Sequence, residues 1–195
     1  MEKINSSISQ IIFDWLLKDK TFTSLRKDKI TFSIRLILND FEKIILLGII
    51  FAVFGKIVPY IICTIFVGIL RIYCGGIHLK TFWSCFLFSL CYFAMIIVCS
   101  GQLIISGWQS YFIYILDFIL TAVFAPLPTR ERFLYSEKQK CRVKIYSIVI
   151  FLFVTFISMS VTILKEYILW IMAAQIIEIT GKLIYLQVKE GVNKG

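Results

Sequence analysis

Apolar and polar residues along this chain fall into long blocks, a pattern foreign to water-soluble folds. Ile4, Ile8, Ile11, Ile12, Trp15 and Leu16 recur at helical spacing between polar positions, which predicts an amphipathic helix lying on a surface. Phe32 to Phe41 carries Ile34, Leu36, Ile37 and Leu38 together with Arg35 and leads into the first apolar stretch. That stretch, Ile44 to Gly55, and the next, Ile57 to Leu70, meet at Lys56 and Pro59. Each is short beside the roughly 20 residues of a spanning helix. Extended by Phe41 at one end and by Ile72 and Tyr73 at the other, they make two minimal crossings or one kinked hairpin. From Thr81 to Leu116 no residue is charged, room for two helices with a break between Ser100-Gly101 and Ser106-Gly107. Asp117 interrupts, and Ala125-Pro126-Leu127-Pro128 stops the pattern. Two more spans follow, Ile145 to Leu164 and Tyr167 to about Leu186.

Composition agrees with these blocks. The chain is 59% hydrophobic, with a mean hydropathy of +0.86 and only 17% charged residues, against about 25% in soluble domains. Water-soluble, fibrous, collagen-like and disordered classes are excluded. The expected fold is all-α: a polytopic membrane protein of about six transmembrane helices with an N-terminal amphipathic interfacial helix. Residues 1–40 would be interfacial, 41–186 the transmembrane bundle and 187–195 a cytoplasmic tail, in one domain. The first forty residues show no apolar core of a cleavable signal. No internal repeat is visible, so an inverted-repeat transporter gains no support.

A formal charge of +9 on a soluble protein would suggest nucleic acid. Its distribution says otherwise. With the amino terminus cytoplasmic, only Lys56 and Lys165 of the 21 Lys and Arg fall outside, the bias expected of a multi-pass protein of the cytoplasmic membrane with both termini inside. Five of the six cysteines lie in or beside membrane-depth segments, where Cys serves as a small hydrophobe and not as a disulfide framework.

Candidate chemistry concentrates in Arg71-Ile-Tyr-Cys74-Gly75-Gly76-Ile-His78-Leu-Lys80-Thr-Phe-Trp-Ser-Cys85, which contains the only His. Imidazole is the usual base for a Cys nucleophile. On one continuous helix, seven residues would separate His78 and Cys85 by about 10.5 Å along the axis. A dyad therefore needs His78 off the helix and folded back over its first turn, with Gly75-Gly76 supplying backbone freedom. Arg71, Lys80 and the helix start would favour the thiolate. A metal site on Cys74, His78 and Cys85 is the competing use, weakened by the glycines and by the missing fourth ligand. Glu178 lies about two turns from the inner end of the last span, free to orient the imidazole or to pair with Lys182. Asp117 is a second membrane-depth carboxylate. Arg130, Arg132 and the cations from Lys138 to Lys144 form a basic loop that sets topology and could steer an acidic peptide. A small transporter or substrate-binding membrane subunit is the non-enzymatic alternative.

The passage around His78 and Cys85 resembles the accessory gene regulator B (AgrB) family, membrane cysteine endopeptidases of Gram-positive quorum sensing. The likeness includes Arg71, Gly76, Phe82-Trp83, Ala125-Pro126 with Thr129 and its basic loop, and Gln175-Ile-Ile-Glu178-Ile-Thr180. The resemblance implies a cofactor-free protease that removes the carboxy-terminal part of a short AgrD-type precursor. Cys85 would be the nucleophile and His78 the base, through a thioester that an internal Cys or Ser of the precursor converts to a thiolactone or lactone. It also implies a homodimer in contact with membrane lipid; the charge distribution already sets nucleic acid aside as a partner.

Overall fold

The computed structural model describes residues 11, 15, 24–77, 81–105, 107–127 and 137–192. Six helices follow one another among them: α1 Ser24–Val53, α2 Ile57–Cys74, α3 Phe82–Gln102, α4 Trp108–Phe124, α5 Glu137–Ser160 and α6 Thr162–Val192. No strand occurs among the described residues, and the fold class is all-α. Ile11 and Trp15 are helical and strongly exposed; the rest of the amino-terminal amphipathic segment lies outside the described residues.

Among the described residues, four helices are long and apolar enough to cross a membrane: α2, α3, α5 and residues Thr162–Leu186 of α6. Helix α4 is apolar but has only 17 residues. The chain divides into two compact units, one of residues 1–57 and 79–87, the other of 58–78 and 88–195.

In the first unit, α1 runs unbroken from the polar leader into the first apolar stretch, because no Gly or Pro intervenes before Gly48. Its end is set at Gly55, whose φ of 66° admits the left-handed turn. Gly55 N–H donates to the Ala52 carbonyl and Lys56 N–H to the Phe51 carbonyl, the pair of bonds that satisfies the last orphan carbonyls of a helix. Pro59 then falls in the first turn of α2, where its missing N–H costs nothing. The junction thus divides two helices.

The second unit shows why the chain needs lipid. Along α4 the buried residues are Ser110, Tyr114, Asp117 and Thr121, whereas Tyr111, Phe112, Ile115, Ile119 and Val123 are exposed. In α5, Ser147, Phe151, Val154 and Ser158 are buried, while Val149, Leu152, Phe153, Phe156 and Met159 face outward. Helices that bury polar groups and turn large apolar side chains outward suit hydrocarbon. Hydrogen bonds tie the polar faces together: Tyr114 to Ser158 at 2.7 Å and Gln175 Nε2 to Thr121 Oγ1 at 3.2 Å.

Two boundaries differ from the sequence reading. The last break falls at Val161, not at Lys165-Glu166; both of these are good helix formers, and Glu166 accepts the Ile105 N–H at 3.2 Å. Helix α5 begins at Glu137, so the second half of the basic loop is helical, opened by an acidic residue that suits a helix start and pairs with Lys140.

Candidate functional site

In the first unit, α3 starts with a side-chain cap. Thr81 Oγ1 accepts the Ser84 N–H at 3.3 Å and shares a 2.8 Å hydrogen bond with the Ser84 hydroxyl, the usual solution for the unpaired amides of a first turn. Cys85 follows at once, its N–H bonded to the Thr81 carbonyl at 3.1 Å. Its side chain is buried, and its sulfur receives a hydrogen bond from Lys43 Nζ of α1 at 3.3 Å. Lys43 also pairs with Asp40, one turn earlier on α1.

In the second unit, α2 ends through Gly75. Its φ of 89° lets its N–H close on the Arg71 carbonyl at 3.0 Å. The chain then passes over α6. Glu178, 5% exposed, accepts from Arg71 Nη2 at 3.0 and 3.2 Å and from the Ile77 N–H at 2.6 Å. One turn on, Lys182 Nζ donates to the Gly76 carbonyl at 3.1 Å. A side chain on Gly76 would put its Cβ 3.0 Å from Glu178 Oε1 and 3.2 Å from Arg71 Nε, so any larger residue here would press on the ion pair. The Arg71 guanidinium also lies 5.0 Å from the Tyr92 ring centroid, within cation–π range. Arg71, Gly75, Tyr92, Gln175 and Glu178 line a cavity of about 10 Å³, room for about one water.

The sequence-predicted residues therefore divide. Arg71, Gly75, Gly76 and Glu178 come together, while Cys85 stands in the first turn of α3 as expected. His78, Lys80, Arg130 and Arg132 lie outside the described residues. Glu178 engages the backbone immediately before His78 and the Arg71 guanidinium. Sequence reasoning missed Lys43, Lys182 as the partner of Gly76, and Tyr92. For Lys182 the signal was available: it is four residues after Glu178 and so shares its helix face. Asp117 is 0% exposed, and neither carboxylate oxygen has a hydrogen-bond partner among the described residues.

Comparison with known proteins places these features in a lineage. A family model described as accessory gene regulator B matches residues 9–180. An AgrB-like protein of Clostridium beijerinckii is 30% identical over 122 residues, which is 62% of this chain and 60% of that relative. No solved structure matches the chain. The matched span takes in the α2–α3 connection, the first turn of α3 and the Glu178 segment of α6, and the chain belongs to the AgrB family.

Proposed function

We propose that this protein is a membrane cysteine endopeptidase that removes the carboxy-terminal part of a short quorum-sensing precursor peptide and promotes ring closure of what remains. Membership of the AgrB family supports a role in the agr quorum-sensing system, and the four long apolar helices fit a membrane protein. The observation that carries the finer reading is the fixed backbone at Gly76 and Ile77, pinned by Lys182 and Glu178 directly before the chain's sole imidazole.

In this reading His78 takes the proton of the Cys85 thiol and the sulfur, keeping the S–H electron pair, attacks the scissile carbonyl. The C–S bond forms, the C–N bond breaks, and the carboxy-terminal fragment leaves as an amine that takes a proton from His78. An internal thiol or hydroxyl of the precursor then gives its proton to His78 and attacks the thioester, expelling the Cys85 thiolate and closing the ring. A thioester is reactive enough for this exchange, and a site that restricts water favours the tethered nucleophile over hydrolysis. Glu178 acts as a positioning residue: it holds the Ile77 amide, and through it the start of the segment bearing His78. Lys80, Arg130 and Arg132 are assigned to contact with the precursor, an AgrD-type peptide sharing the cytoplasmic membrane with a homodimeric enzyme.

The deciding experiment is precursor cleavage by Cys85→Ala in membrane vesicles. Cleavage is lost while insertion is retained, and substitution of Cys63, Cys91, Cys99 or Cys141 is tolerated. A cleaving Cys85→Ala variant refutes the assignment.

A further inference from the structure

The contact between Lys43 and Cys85 has no place in a simple His–Cys dyad. An ammonium carries three donors and no lone pair, so at 3.3 Å from the sulfur it can only donate. A thiol is a weak acceptor and a thiolate a strong one, so this geometry favours the ionised sulfur. The lysine is also poorly solvated: its side chain is 12% exposed, whereas its partner Asp40 is 50% exposed.

Position on α1 points the same way. Lys43, Leu47 and Phe51 succeed one another at four-residue spacing and so share a face. Leu47 and Phe51 are buried at 2% and 7% exposure. Lys43 thus continues the inward face of the helix instead of the solvated one. A cation on a buried face needs compensating charge nearby. Asp40, half exposed, supplies one part; the Cys85 sulfur also contacts the ammonium.

We propose that Lys43 holds Cys85 as a thiolate, forming an ammonium–thiolate pair across α1 and the first turn of α3. The S–H bond breaks with its electron pair left on sulfur, the proton passes to solvent, and Lys43 stays an ammonium throughout. The start of α3 adds its partial positive charge in the same sense. This inference rests on the reading of Cys85 as nucleophile and refines it: the base is then unnecessary for activating the sulfur, and His78 is left to serve the leaving amine and the ring-closing nucleophile.

Among the described residues, α1 brings charged groups to the sulfur. Helix α3 carries no Asp, Glu, Lys or Arg over its whole length. From α1 the groups are Lys43 and, behind it, Asp40; His78 and Lys80 precede the helix in sequence.

The test is the pH dependence of Cys85 alkylation by iodoacetamide in the full-length protein in detergent, read on the Cys85 peptide by mass spectrometry. The wild-type rate has its midpoint well below the ordinary thiol value of about 8.5. Lys43→Met raises that midpoint by at least about one pH unit, equivalent to about a tenfold slower reaction near pH 7. Lys43→Arg, which keeps the charge, stays close to wild type. Asp40→Asn, which leaves the whole ammonium charge to the sulfur, lowers the midpoint and carries the test if Lys43→Met does not fold. Superimposable wild-type and Lys43→Met profiles, an ordinary wild-type midpoint, or an Asp40→Asn profile unchanged from wild type overturns the proposal. Alkylation needs no precursor, so the two readings fail separately. A shifted profile with a cleaving Cys85→Ala variant sinks the peptidase and keeps the ion pair, whereas an unshifted profile with inactive Cys85→Ala does the reverse.

Discussion

Gly76→Ala tests the clamp with a single methyl group. Gly76 does not have a positive φ, so alanine can adopt its backbone and any effect comes from the contact alone. The new Cβ would stand 3.0 Å from Glu178 Oε1, 3.2 Å from Arg71 Nε and 3.4 Å from Arg71 Cδ. Oε1 is the same oxygen that accepts the Ile77 N–H at 2.6 Å and Arg71 Nη2 at 3.0 Å. The carboxylate must retreat by a few tenths of an ångström, or the loop must rise, and either movement stretches the bond to Ile77. A hydrogen bond to a charged group contributes about 1.5–3 kcal/mol. If the bound loop is the competent one, cleavage falls by about 10- to 150-fold.

The assay pairs precursor cleavage in vesicles with thermal unfolding of the same variants. The diagnostic comparison is the cycle of Gly76→Ala, Glu178→Ala and the double variant. Without the carboxylate the methyl meets only the flexible Arg71 side chain, so Gly76→Ala costs little in the Glu178→Ala background. Additive losses, or a Gly76→Ala enzyme at the wild-type rate, refute the steric argument.

Three further variants probe the frame. Thr81→Ala removes the cap of α3 and lowers stability by about 1 kcal/mol, whereas Thr81→Ser retains it; equal melting curves for the two would count against the cap. Tyr114→Phe and Ser158→Ala delete the two ends of the 2.7 Å hydrogen bond between α4 and α5, and a double-mutant cycle on thermal stability gives a coupling of about 0.5–1.5 kcal/mol; zero coupling removes the bond from the account. Asp117→Asn replaces a fully buried carboxyl group that has no hydrogen-bond partner among the described residues by a neutral isostere, and raises the unfolding temperature by about 2–4 °C for each kcal/mol recovered; a fall in that temperature contradicts the assignment.

Much of the helical frame was readable because membranes impose long blocks. The break after Gln102 and the stop before Ala125 follow from Gly, Ser and Pro at fixed positions. The first apolar stretch stops where α1 turns, at Gly55, but the amides that close that turn are invisible to a hydropathy pattern. The Val161 break carries no charge, Gly or Pro to mark it, whereas Lys165-Glu166 interrupts the hydropathy pattern with two residues that favour helix. Glu178 was recognisable as a costly carboxylate, yet its choice of partner depends on tertiary packing: Arg71 lies 107 positions away in sequence. Lys43 was counted as a topological cation. Only folding brings it to a sulfur 42 residues distant.

The Arg71–Glu178 pair raises the question of why a buried ion pair is kept at all. Glu178 is almost wholly enclosed, with 4% of its side-chain surface exposed against 25% for Arg71. Removing such charges from water costs several kcal/mol each, and apolar residues of the same volume are often equally stable. Stability alone therefore does not explain the pair. Apolar substitutes could fill the space beside Tyr92, but they could not accept the Ile77 amide at 2.6 Å, nor leave a glycine-sized gap through which the chain approaches. The carboxylate performs both tasks, and the guanidinium makes its burial tolerable by donating two bonds and resting near the Tyr92 ring. Each member thus limits the others: Arg71→Lys keeps the charge but loses the planar guanidinium that reaches Glu178 while resting near the Tyr92 ring. In this reasoning the lysine variant loses cleavage while the bundle stays folded, whereas a purely structural pair would lose both in proportion.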